Sequence, residues 1–358
     1  MTDRLDILNT PFEPASTFAI FYDSLSQDIS PPNTQQGSCK ICYRFLFFVY
    51  HSTVSGRKKT SPYPLLLVLV DPHSIVMTTP HAKSSIERYG ARAPSYDEGN
   101  DGWHITLGLD FVCWITPQPG EYALDLACGT GLVTLPMASA VGPSGKVIGI
   151  DLTPEMLTEA RKKPTPTDSA PVIWIEGDIT SLCSMPEIQD VVQSRGGFDI
   201  ITLCSALVLV PDQPACITHW ATLLRPGGRM IIDVISSNKS LQYLFTVDLR
   251  NACGLGMPYD RSWVRDIHSL EQLYKNAGLE VVQSFEREVD GIKHTYEADQ
   301  AMEIFDEQTR DKYKIFAERG KLEEARKLWP DMWKSNLSVN GKFFDGHTLY
   351  VTIGRKPL

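Results

Sequence analysis

The chain has 358 residues, a formal net charge of -9 and 42% hydrophobic residues. That length fits one large domain with extensions or two small ones, and the composition is ample for a globular core. Lysine and arginine are scattered without the basic face that is typical of nucleic-acid binding proteins, so we expect a small-molecule partner and no nucleic acid.

The apolar runs of the chain are too short to cross a membrane. Runs such as Phe45–Tyr50 and Leu65–Val70 are well below the roughly 20 residues that a membrane helix requires. The start of the chain is poor in basic residues, which is not typical of a transit peptide. We therefore predict no membrane span and a cytoplasmic location.

The cysteines do not indicate a metal site. Eight are present without regular spacing, and Cys39 and Cys42 form a CxxC pair. A zinc site would need a second pair of ligands at a suitable distance, and none follows. Free thiols in a reducing compartment, with no bound metal, are the expectation.

Residues 1–76 do not have the pattern of a folded domain. Their apolar residues follow neither helical nor strand periodicity, and the character of the sequence changes at Met77, which resembles an ordinary protein start. We interpret residues 1–76 as a poorly ordered extension or a gene-model artefact, and a genuine lineage-specific arm stays open. Residues 77–120 are expected to form an N-terminal helical segment.

Strands and helices are predicted to alternate from Tyr122 onward. The strands are Tyr122–Leu126, Val147–Ile150, Val172–Ile175, Phe198–Leu203, Met230–Val234, Leu279–Phe285 and Thr348–Ile353. The helices are Leu132–Val141, Pro154 to about Lys162 with Thr153 as N-cap, Ala215–Leu224, and one opened by a capping box at Ser269 and Gln272. This alternation predicts an α/β fold with a doubly wound, mostly parallel sheet and helices on both faces.

A helical insertion separates the last two predicted strands. We place the α/β core at 121–290, the insertion at 291–342 and the last strand of the core at 343–358. The insertion is rich in Glu, Lys, Arg and Trp, with a helical stretch over Asp299–Arg326. Because ligands of open α/β sheets bind outside the carboxyl ends of the strands, this segment is expected to cover the acceptor site. A solvated helical appendage is the alternative.

The segment Leu124–Gly131 carries the strongest signal. A predicted strand runs into a glycine-containing turn that opens a helix. Gly129 and Gly131 let the backbone bend and let a ligand approach closely. Asp125 lies at the strand end, where its carboxylate suits a cationic amino group.

A second acid supports a nucleoside site. Asp151 lies 20 residues after Gly131, at the end of the next predicted strand. That position suits a carboxylate that accepts hydrogen bonds from two ribose hydroxyls. A structural turn in an unrelated α/β protein is the alternative.

The residues around the turn favour S-adenosylmethionine (SAM) as the nucleoside. A dinucleotide fold needs a third glycine at position 134, which is Thr134, and the carboxylate of Asp125 would repel a pyrophosphate. A Gly-Lys-Ser/Thr phosphate loop is absent from this position. SAM carries an ammonium and a sulfonium and no phosphate, so a Rossmann-type oxidoreductase is disfavoured.

Several segments resemble the class I SAM-dependent methyltransferases. The matching segments are Leu124–Gly131, Val147–Leu157, Glu176–Ile179, Phe198–Cys204 and Leu224–Arg229. Tyr96-Asp97 and Trp103-His104 resemble the N-terminal segment of the ubiquinone/menaquinone-biosynthesis type and its relatives in natural-product tailoring. The resemblance covers about residues 86–290 and the final strand. It implies a Rossmann-like sheet of seven strands whose last strand is antiparallel.

The resemblance also implies a set of cofactor-binding residues. These are Tyr96, Asp125, Ala127, Cys128, Gly129, Thr130, Gly131, Asp151, Leu152, Met156, Asp178, Ile179 and Cys204. Asp125 is expected to hold the methionine ammonium through water or backbone, and Asp151 the ribose. Asp178 and the N–H of Ile179 are expected at adenine, with Leu152 and Met156 packing on its ring. Tyr96 is either a partner of the methionine carboxylate or a core tyrosine.

No catalytic residue is identified by the sequence. The continuation of the fourth strand, Cys204–Leu207, has no obvious catalytic side chain, and His104, His294, His347 and Tyr296 are candidates without a choice among them. We predict a SAM-dependent methyltransferase for a small molecule, either a natural product or a quinone-like metabolite. A non-catalytic SAM-binding regulator or partner is the alternative. The acceptor, the methylated atom and the oligomeric state stay open.

Overall fold

The computed structural model describes residues 80–236, 240–256 and 261–358. The interpretation of residues 1–76 and the CxxC pair at Cys39 and Cys42 lie outside these described residues. The described strands are β1 Tyr122–Leu126, β2 Lys146–Asp151, β3 Val172–Glu176, β4 Phe198–Leu203, β5 Leu224–Ile235, β6 Glu280–Glu297 and β7 Lys342–Arg355.

The described helices flank this sheet and form the insertion. They are α1 Pro80–Arg92, α2 Trp103–Ile115, α3 Thr134–Val141, α4 Pro154–Lys162, α5 Pro186–Arg195, α6 Gln213–Leu223, α7 Leu241–Tyr243, α8 Leu249–Ala252, α9 His268–Asn276, α10 Ala301–Asp311, α11 Ile315–Glu318 and α12 Leu322–Lys334. Within the described ranges, none of them is long and apolar enough to cross a membrane.

The seven strands form one sheet in the order β3-β2-β1-β4-β5-β7-β6. Strands β1 to β5 pair in parallel, and β7 is antiparallel to both β5 and β6. The order reverses between β1 and β4, which is the switch point where open α/β sheets bind ligands. The predicted doubly wound sheet with an antiparallel last strand is confirmed.

Two apolar clusters cover the two faces of the sheet. On one face, α2 and α3 bury Phe111 and Met137 against the strands. On the other face, Trp220 of α6 and Tyr274 of α9 are fully buried. Side chains of a strand alternate between faces, so the buried strands contribute to both clusters.

The insertion forms a third cluster with the segment that follows β5. Phe245 lies at the centre of this cluster, with its ring centroid 4.5 Å from that of Trp329 and 4.7 Å from that of Tyr313. Trp329 and Trp333 of α12 are buried there, and their indole N–H groups donate to Ala301 O and Ala298 O. The insertion therefore packs on the segment that follows β5 through this cluster.

Three details differ from the predicted elements. Strands β6 and β7 are longer than predicted and pair with each other as far as Glu297 opposite Lys342. The helix predicted over Asp299–Arg326 is divided into α10, α11 and the start of α12. The capping box at Ser269 is wrong, because α9 begins at His268 and the Ser269 hydroxyl accepts the N–H groups of Arg265 and Asp266.

Candidate functional site

A tight turn connects β1 to α3 at the switch point of the sheet. Ala127, Gly129 and Gly131 all have positive φ, at 50°, 54° and 83°. The Cys128 N–H donates to Ile150 O at 2.9 Å, which ties the turn to the end of β2. A positive φ is unstrained only at glycine, so Ala127 stores local strain at the point where the chain leaves the strand.

The two glycines of the turn have different surroundings. A Cβ atom on Gly129 would meet nothing within 4 Å, whereas one on Gly131 would lie 2.7 Å from Cη2 of Trp174. Gly131 is therefore required by packing against β3. Gly129 borders open space, where a ligand can approach the backbone.

Asp151 closes the other side of this open space. Its carboxylate accepts the N–H of Gly129 at 2.8 Å and the N–H of Thr153 at 2.8 Å. Burial raises the pKa of Asp151. A carboxylate has about four acceptor positions, so two remain for ribose hydroxyls. The sequence did not reveal that Asp151 also fixes the glycine turn.

Asp125 lies beneath the turn and has both oxygens occupied. The Thr134 hydroxyl donates to it at 2.5 Å and the Thr202 hydroxyl at 2.6 Å. The side chain is buried, and burial raises its pKa to about 6. Thr134, which occupies the position of the missing third glycine, thus connects α3 to β1. Contact between Asp125 and an ammonium group requires an intermediary, as the sequence interpretation allowed.

Asp97 fastens the N-terminal segment to the turn. Its Oδ1 accepts the Thr130 hydroxyl at 2.6 Å, and its Oδ2 lies 2.5 Å from Nζ of Lys163. Lys163 also donates to Thr130 O at 2.8 Å. These contacts place the residues preceding α2 over the cofactor edge of the sheet. The sequence analysis noted Asp97 only as part of a resemblance.

Aromatic side chains stack beside the contacts of Asp97. The ring centroid of His104 lies 4.8 Å from that of Tyr96 and 3.9 Å from that of Trp103. Burial lowers the pKa of His104 to about 4, so its imidazole is neutral at physiological pH. Burial raises the pKa of Tyr96, and the neighbouring Tyr89, Cys204 and Asp151 add to that effect. Tyr96 therefore lies near both of those predicted cofactor residues.

The segment after β3 reaches the end of β2. The Gly177 N–H donates to Asp151 O at 3.0 Å. The Asp178 carboxylate accepts the Thr180 N–H at 2.8 Å, and Ile179 O accepts the indole N–H of Trp220 at 2.8 Å. Two residues are expected to pack on adenine. Met156 of α4 is buried, and Leu152, which precedes α4, is half-buried. The structure thus brings the predicted adenine residues to the edge that holds Asp151.

Asp233 is a buried acid that the sequence analysis missed. It interrupts the apolar run of β5, and its Oδ1 accepts the N–H of Ser205 at 2.6 Å. Its Oδ2 is buried and has no hydrogen-bond partner among the described residues. Burial raises its pKa to about 7, and its charge adds to burial in raising the pKa of the Cys204 thiol. An acid inside a predicted buried strand was the available signal.

The candidate bases are not gathered in one place. His104 lies in the aromatic stack, and His347 is half-buried on β7, where burial lowers its pKa. His294 is exposed on β6, and the Tyr296 ring lies 6.1 Å from that of Trp333 in the insertion cluster. Of the four, His104 is the one with a described contact to a predicted cofactor residue, Tyr96.

A surface hollow of about 550 Å³ lies elsewhere, on the insertion. Asp306, Arg310 and Lys314 are among the residues that line it, and no residue of the glycine turn does. It is therefore separate from the candidate site. Among the described residues, no group of three His, Cys, Asp or Glu side chains is arranged to hold a metal ion.

The sheet order and the position of the glycine turn agree with a class I methyltransferase fold. A family model described as a methyltransferase domain matches residues 117–320. The chain belongs to this methyltransferase domain family.

Individual relatives match only parts of the chain. The nocamycin O-methyltransferase of Saccharothrix syringae is 35% identical over 116 residues, which cover 32% of this chain and 38% of the relative. The 2-phytyl-1,4-naphtoquinone methyltransferase of Synechococcus elongatus is 35% identical over 145 residues, which cover 39% of this chain and 58% of the relative. The chain thus matches less than two thirds of the length of these relatives.

A solved structure with a similar fold is phosphoethanolamine N-methyltransferase 2 of Haemonchus contortus, in complex with SAM. Its TM-score is 0.43 at 17% sequence identity, over 75% of this chain and 60% of that chain.

Proposed function

We propose that this chain transfers a methyl group from SAM to a small-molecule acceptor, either a natural product or a quinone-like metabolite. One observation carries the proposal: Gly129 borders open space, and the Asp151 carboxylate is fixed on that same turn at 2.8 Å from the Gly129 N–H. The names of the nocamycin and naphtoquinone relatives support the small-molecule acceptor. A cytoplasmic location stays a prediction.

The charge of the turn favours SAM over a dinucleotide. Asp125 and Asp151 are close enough that the charge of Asp151 adds to burial in raising the pKa of Asp125. Two acids at this point oppose a pyrophosphate and attract a ligand that carries an ammonium and a sulfonium. SAM would supply a methyl group on a sulfonium that is already a good leaving group.

The residues of the chain then have distinct tasks. Asp151 would hold the ribose, Asp178 and Ile179 the adenine amino edge, and Leu152 and Met156 the adenine ring. Asp125 would act on the ammonium at a distance, because its oxygens are occupied by two threonines. Tyr96 and Cys204, which lie near each other, would border the methionine end.

Methyl transfer depends mainly on placing the acceptor atom on the axis of the reacting bond. Correct positioning can contribute about 7–11 kcal/mol to lowering a barrier. We propose that the insertion and the aromatic stack supply this positioning and exclude water. Helices α10 to α12 are packed through Phe245 and Trp329 on the segment after β5, which makes them a fixed wall for the acceptor.

The direct experiment measures formation of S-adenosylhomocysteine from SAM with a panel of phenols, carboxylic acids, amines and enolisable ketones. Acceptor-dependent formation supports a methyltransferase. Tight SAM binding without transfer to any acceptor, together with no 14-dalton shift in metabolites of the native host when the protein is removed, would favour the non-catalytic SAM-binding alternative.

A further inference from the structure

Asp233 is a buried acid that the proposed cofactor contacts do not use. It interrupts the apolar run of β5, and its exposed fraction is 1%. Its Oδ1 accepts the N–H of Ser205 at 2.6 Å, whereas its Oδ2 is buried without a hydrogen-bond partner among the described residues. A buried carboxylate oxygen without a partner is unfavourable unless a ligand supplies a donor. Oδ2 is therefore an acceptor position that a ligand can fill.

The sheet register places Asp233 at the ligand edge. Leu126, the last residue of β1, pairs with Leu203, the last residue of β4, and Leu203 pairs with Ile232. Asp233 is the next residue of β5, so it lies level with the start of the glycine turn. Ligands of open α/β sheets bind outside these carboxyl ends of the strands.

Asp233 lies on the same face of the sheet as Asp125. The Asp125 carboxylate accepts the hydroxyl of Thr134, the first residue of α3, and that of Thr202 on β4. Thr202 pairs with Ile231. Asp233 follows two residues later on β5, and side chains two residues apart on a strand share a face. The carboxylates of Asp125 and Asp233 therefore occupy successive rows of one face, with Asp233 nearer the carboxyl edge.

The second oxygen of Asp233 fixes the loop that follows β4. Ser205 has a φ of 56°, which is unfavourable for a residue other than glycine. Its N–H donates to Oδ1 of Asp233, and this bond holds the backbone directly after Cys204. Cys204 is one of the predicted cofactor residues. A described hydrogen bond thus ties the acid to the loop beside the candidate site.

We propose that Oδ2 of Asp233 accepts the hydrogen of the nucleophilic group of the methyl acceptor and is the general base of the transfer. The acceptor is then a compound that binds with an O–H or N–H at the atom to be methylated, such as a phenol, an enol or an uncharged amine. A carboxylate has no such hydrogen. This inference rests on the proposed methyltransferase function and specifies its base and its substrate class.

The transfer balances with Asp233 as the base. A lone pair on the oxygen or nitrogen of the acceptor forms the new bond to the methyl carbon, and the electron pair of the carbon–sulfur bond remains on sulfur. The proton of the acceptor passes to Oδ2 of Asp233. The carboxyl group becomes uncharged in this step and later loses the proton to water, while Oδ1 keeps its bond from Ser205.

The titratable groups around Asp233 leave it as the available base near neutral pH. Burial raises its pKa to about 7, and a base is most effective when its pKa lies near the working pH. The charge of Asp233 adds to burial in raising the pKa of the Cys204 thiol and that of the Tyr274 hydroxyl, so both stay uncharged. The pKa of Asp125 is about 6, but both of its oxygens already accept threonine hydroxyls.

The test measures formation of S-adenosylhomocysteine by the full chain at saturating SAM, with the acceptor panel named above. Its matched probes are 2-naphthol, 2-naphthylamine and 2-naphthoate. We expect transfer to members with an O–H or N–H, and the phenol and amine arms distinguish the two donors. Transfer to carboxylic acids should be at least tenfold slower.

Asp233→Asn separates the base from the loop contact. Its amide oxygen still accepts the Ser205 N–H, but its side chain cannot take a proton. Turnover of the best acceptor should fall roughly 10²–10⁴-fold, while calorimetry gives a SAM affinity within threefold of wild type. Asp199→Asn is the matched control, because Asp199 is also 1% exposed and accepts the Tyr122 N–H at 2.8 Å, at the opposite end of β4. Its turnover should stay within threefold of wild type.

The pH profile tests the same role in the unaltered protein. In wild type, kcat/KM for the best acceptor should rise with pH and level off above about pH 7, where Asp233 is ionised. In Asp233→Asn this levelling should be absent, because the hydrogen of the acceptor is then lost to solvent.

Three results would overturn the inference: a fall in turnover of less than about 100-fold in Asp233→Asn, a wild-type profile that does not level off near pH 7, or transfer that favours carboxylic acids. Wild-type protein that binds no SAM, or that transfers to no member of the panel, would instead contradict the proposed function itself.

Discussion

The two ends of the ligand edge differ in how their buried polar groups are satisfied. At the cofactor end, Asp125 accepts from two threonine hydroxyls and Asp151 accepts from two backbone N–H groups. At the acceptor end, Oδ2 of Asp233 and Nε1 of Trp103 are buried without a partner among the described residues.

This difference indicates that the two ends are preorganised for ligands to different degrees. A buried polar group without a partner costs about 1–3 kcal/mol, and native proteins keep few of them. The cofactor end has its hydrogen bonds in place before a ligand arrives, which keeps its geometry fixed. The acceptor end keeps one buried acceptor and one buried donor without a partner among the described residues, and a bound ligand can complete them.

The largest expected effect is at the cofactor end, where the buried polar groups have hydrogen-bond partners. Asp151→Ala removes two charge-assisted bonds to the ribose, each worth about 1.5–3 kcal/mol before water compensates. A net loss of roughly 2–4 kcal/mol corresponds to SAM affinity about 30- to 1,000-fold weaker. Asp151→Asn should be milder, since its amide oxygen still accepts. Calorimetry with SAM checks both variants. If Asp151→Ala binds SAM within threefold of wild type, the nucleoside does not bind at Asp151.

The same variant should also lower the melting temperature, which the sequence alone did not suggest. The structure gives Asp151 two backbone bonds, so Asp151→Ala leaves the N–H groups of Gly129 and Thr153 without their acceptor. The affinity must therefore be measured at a temperature where the variant is folded.

The two glycines of the turn provide the next comparison. Gly131→Ala should cost roughly 2–3 kcal/mol of unfolding free energy, because its Cβ meets Trp174 and its φ is unfavourable for alanine. Gly129→Ala has the φ strain alone and should cost about 1 kcal/mol. Chemical denaturation measures both. Equal losses for the two variants would contradict the different surroundings described for them.

Much of the cofactor end was predictable from sequence because its signals are local. Tyr122–Leu126 and Phe198–Leu203 match β1 and β4 to the residue, since each is a short buried apolar run bounded by turns. Asp125 lies within β1, and Asp151 is the last residue of β2. By contrast, the pairing of Asp125 with Thr202 joins residues 77 positions apart, and only the sheet register brings them together.

The acceptor end could not be predicted, because it is assembled from distant segments. Phe245 follows β5, whereas Tyr313 and Trp329 lie in the insertion, and their rings meet only in the fold. The outer part of β6 was missed for a related reason. Its polar residues between Glu286 and Glu297 lack apolar alternation, and its pairing with β7 supplies the strand structure.

A pH-dependent effect is expected at Asp233. Burial raises its pKa to about 7, whereas an unfolded aspartate ionises near pH 3.9. The folded state binds more protons between these values, so the stabilisation from this group is full below about pH 4 and is lost as the pH rises through about 7. Asn does not ionise. Asp233→Asn should therefore gain about 1–3 kcal/mol relative to wild type between pH 5 and pH 9.

Melting curves across this pH range check the prediction for Asp233. Asp190→Asn, at an exposed aspartate on α5, serves as the control and should differ from wild type by a constant amount. A pH-independent difference between Asp233→Asn and wild type would show that Asp233 is not a strained buried acid.

The smallest expected effect is at the ion pair between Lys163 and Asp97, which connects the N-terminal segment to the glycine turn. Lys163→Gln removes the ion pair with Asp97, in which both side chains are partly exposed, and the bond from Lys163 to Thr130 O, and should cost about 1 kcal/mol. The Thr130 bond to Asp97 remains. Thermal melting checks this, with Lys162→Gln as an adjacent control. A loss of stability several kcal/mol larger than that of the control would contradict the small contribution expected of a partly exposed ion pair.

The most direct test of the account compares SAM with NAD as ligands of the wild-type chain. The open turn at Gly129, with the carboxylates of Asp125 and Asp151 beside it, predicts saturable calorimetric binding of SAM and no detectable binding of NAD under the same conditions. Binding of NAD without binding of SAM would contradict the central claim that this acidic turn is a site for SAM.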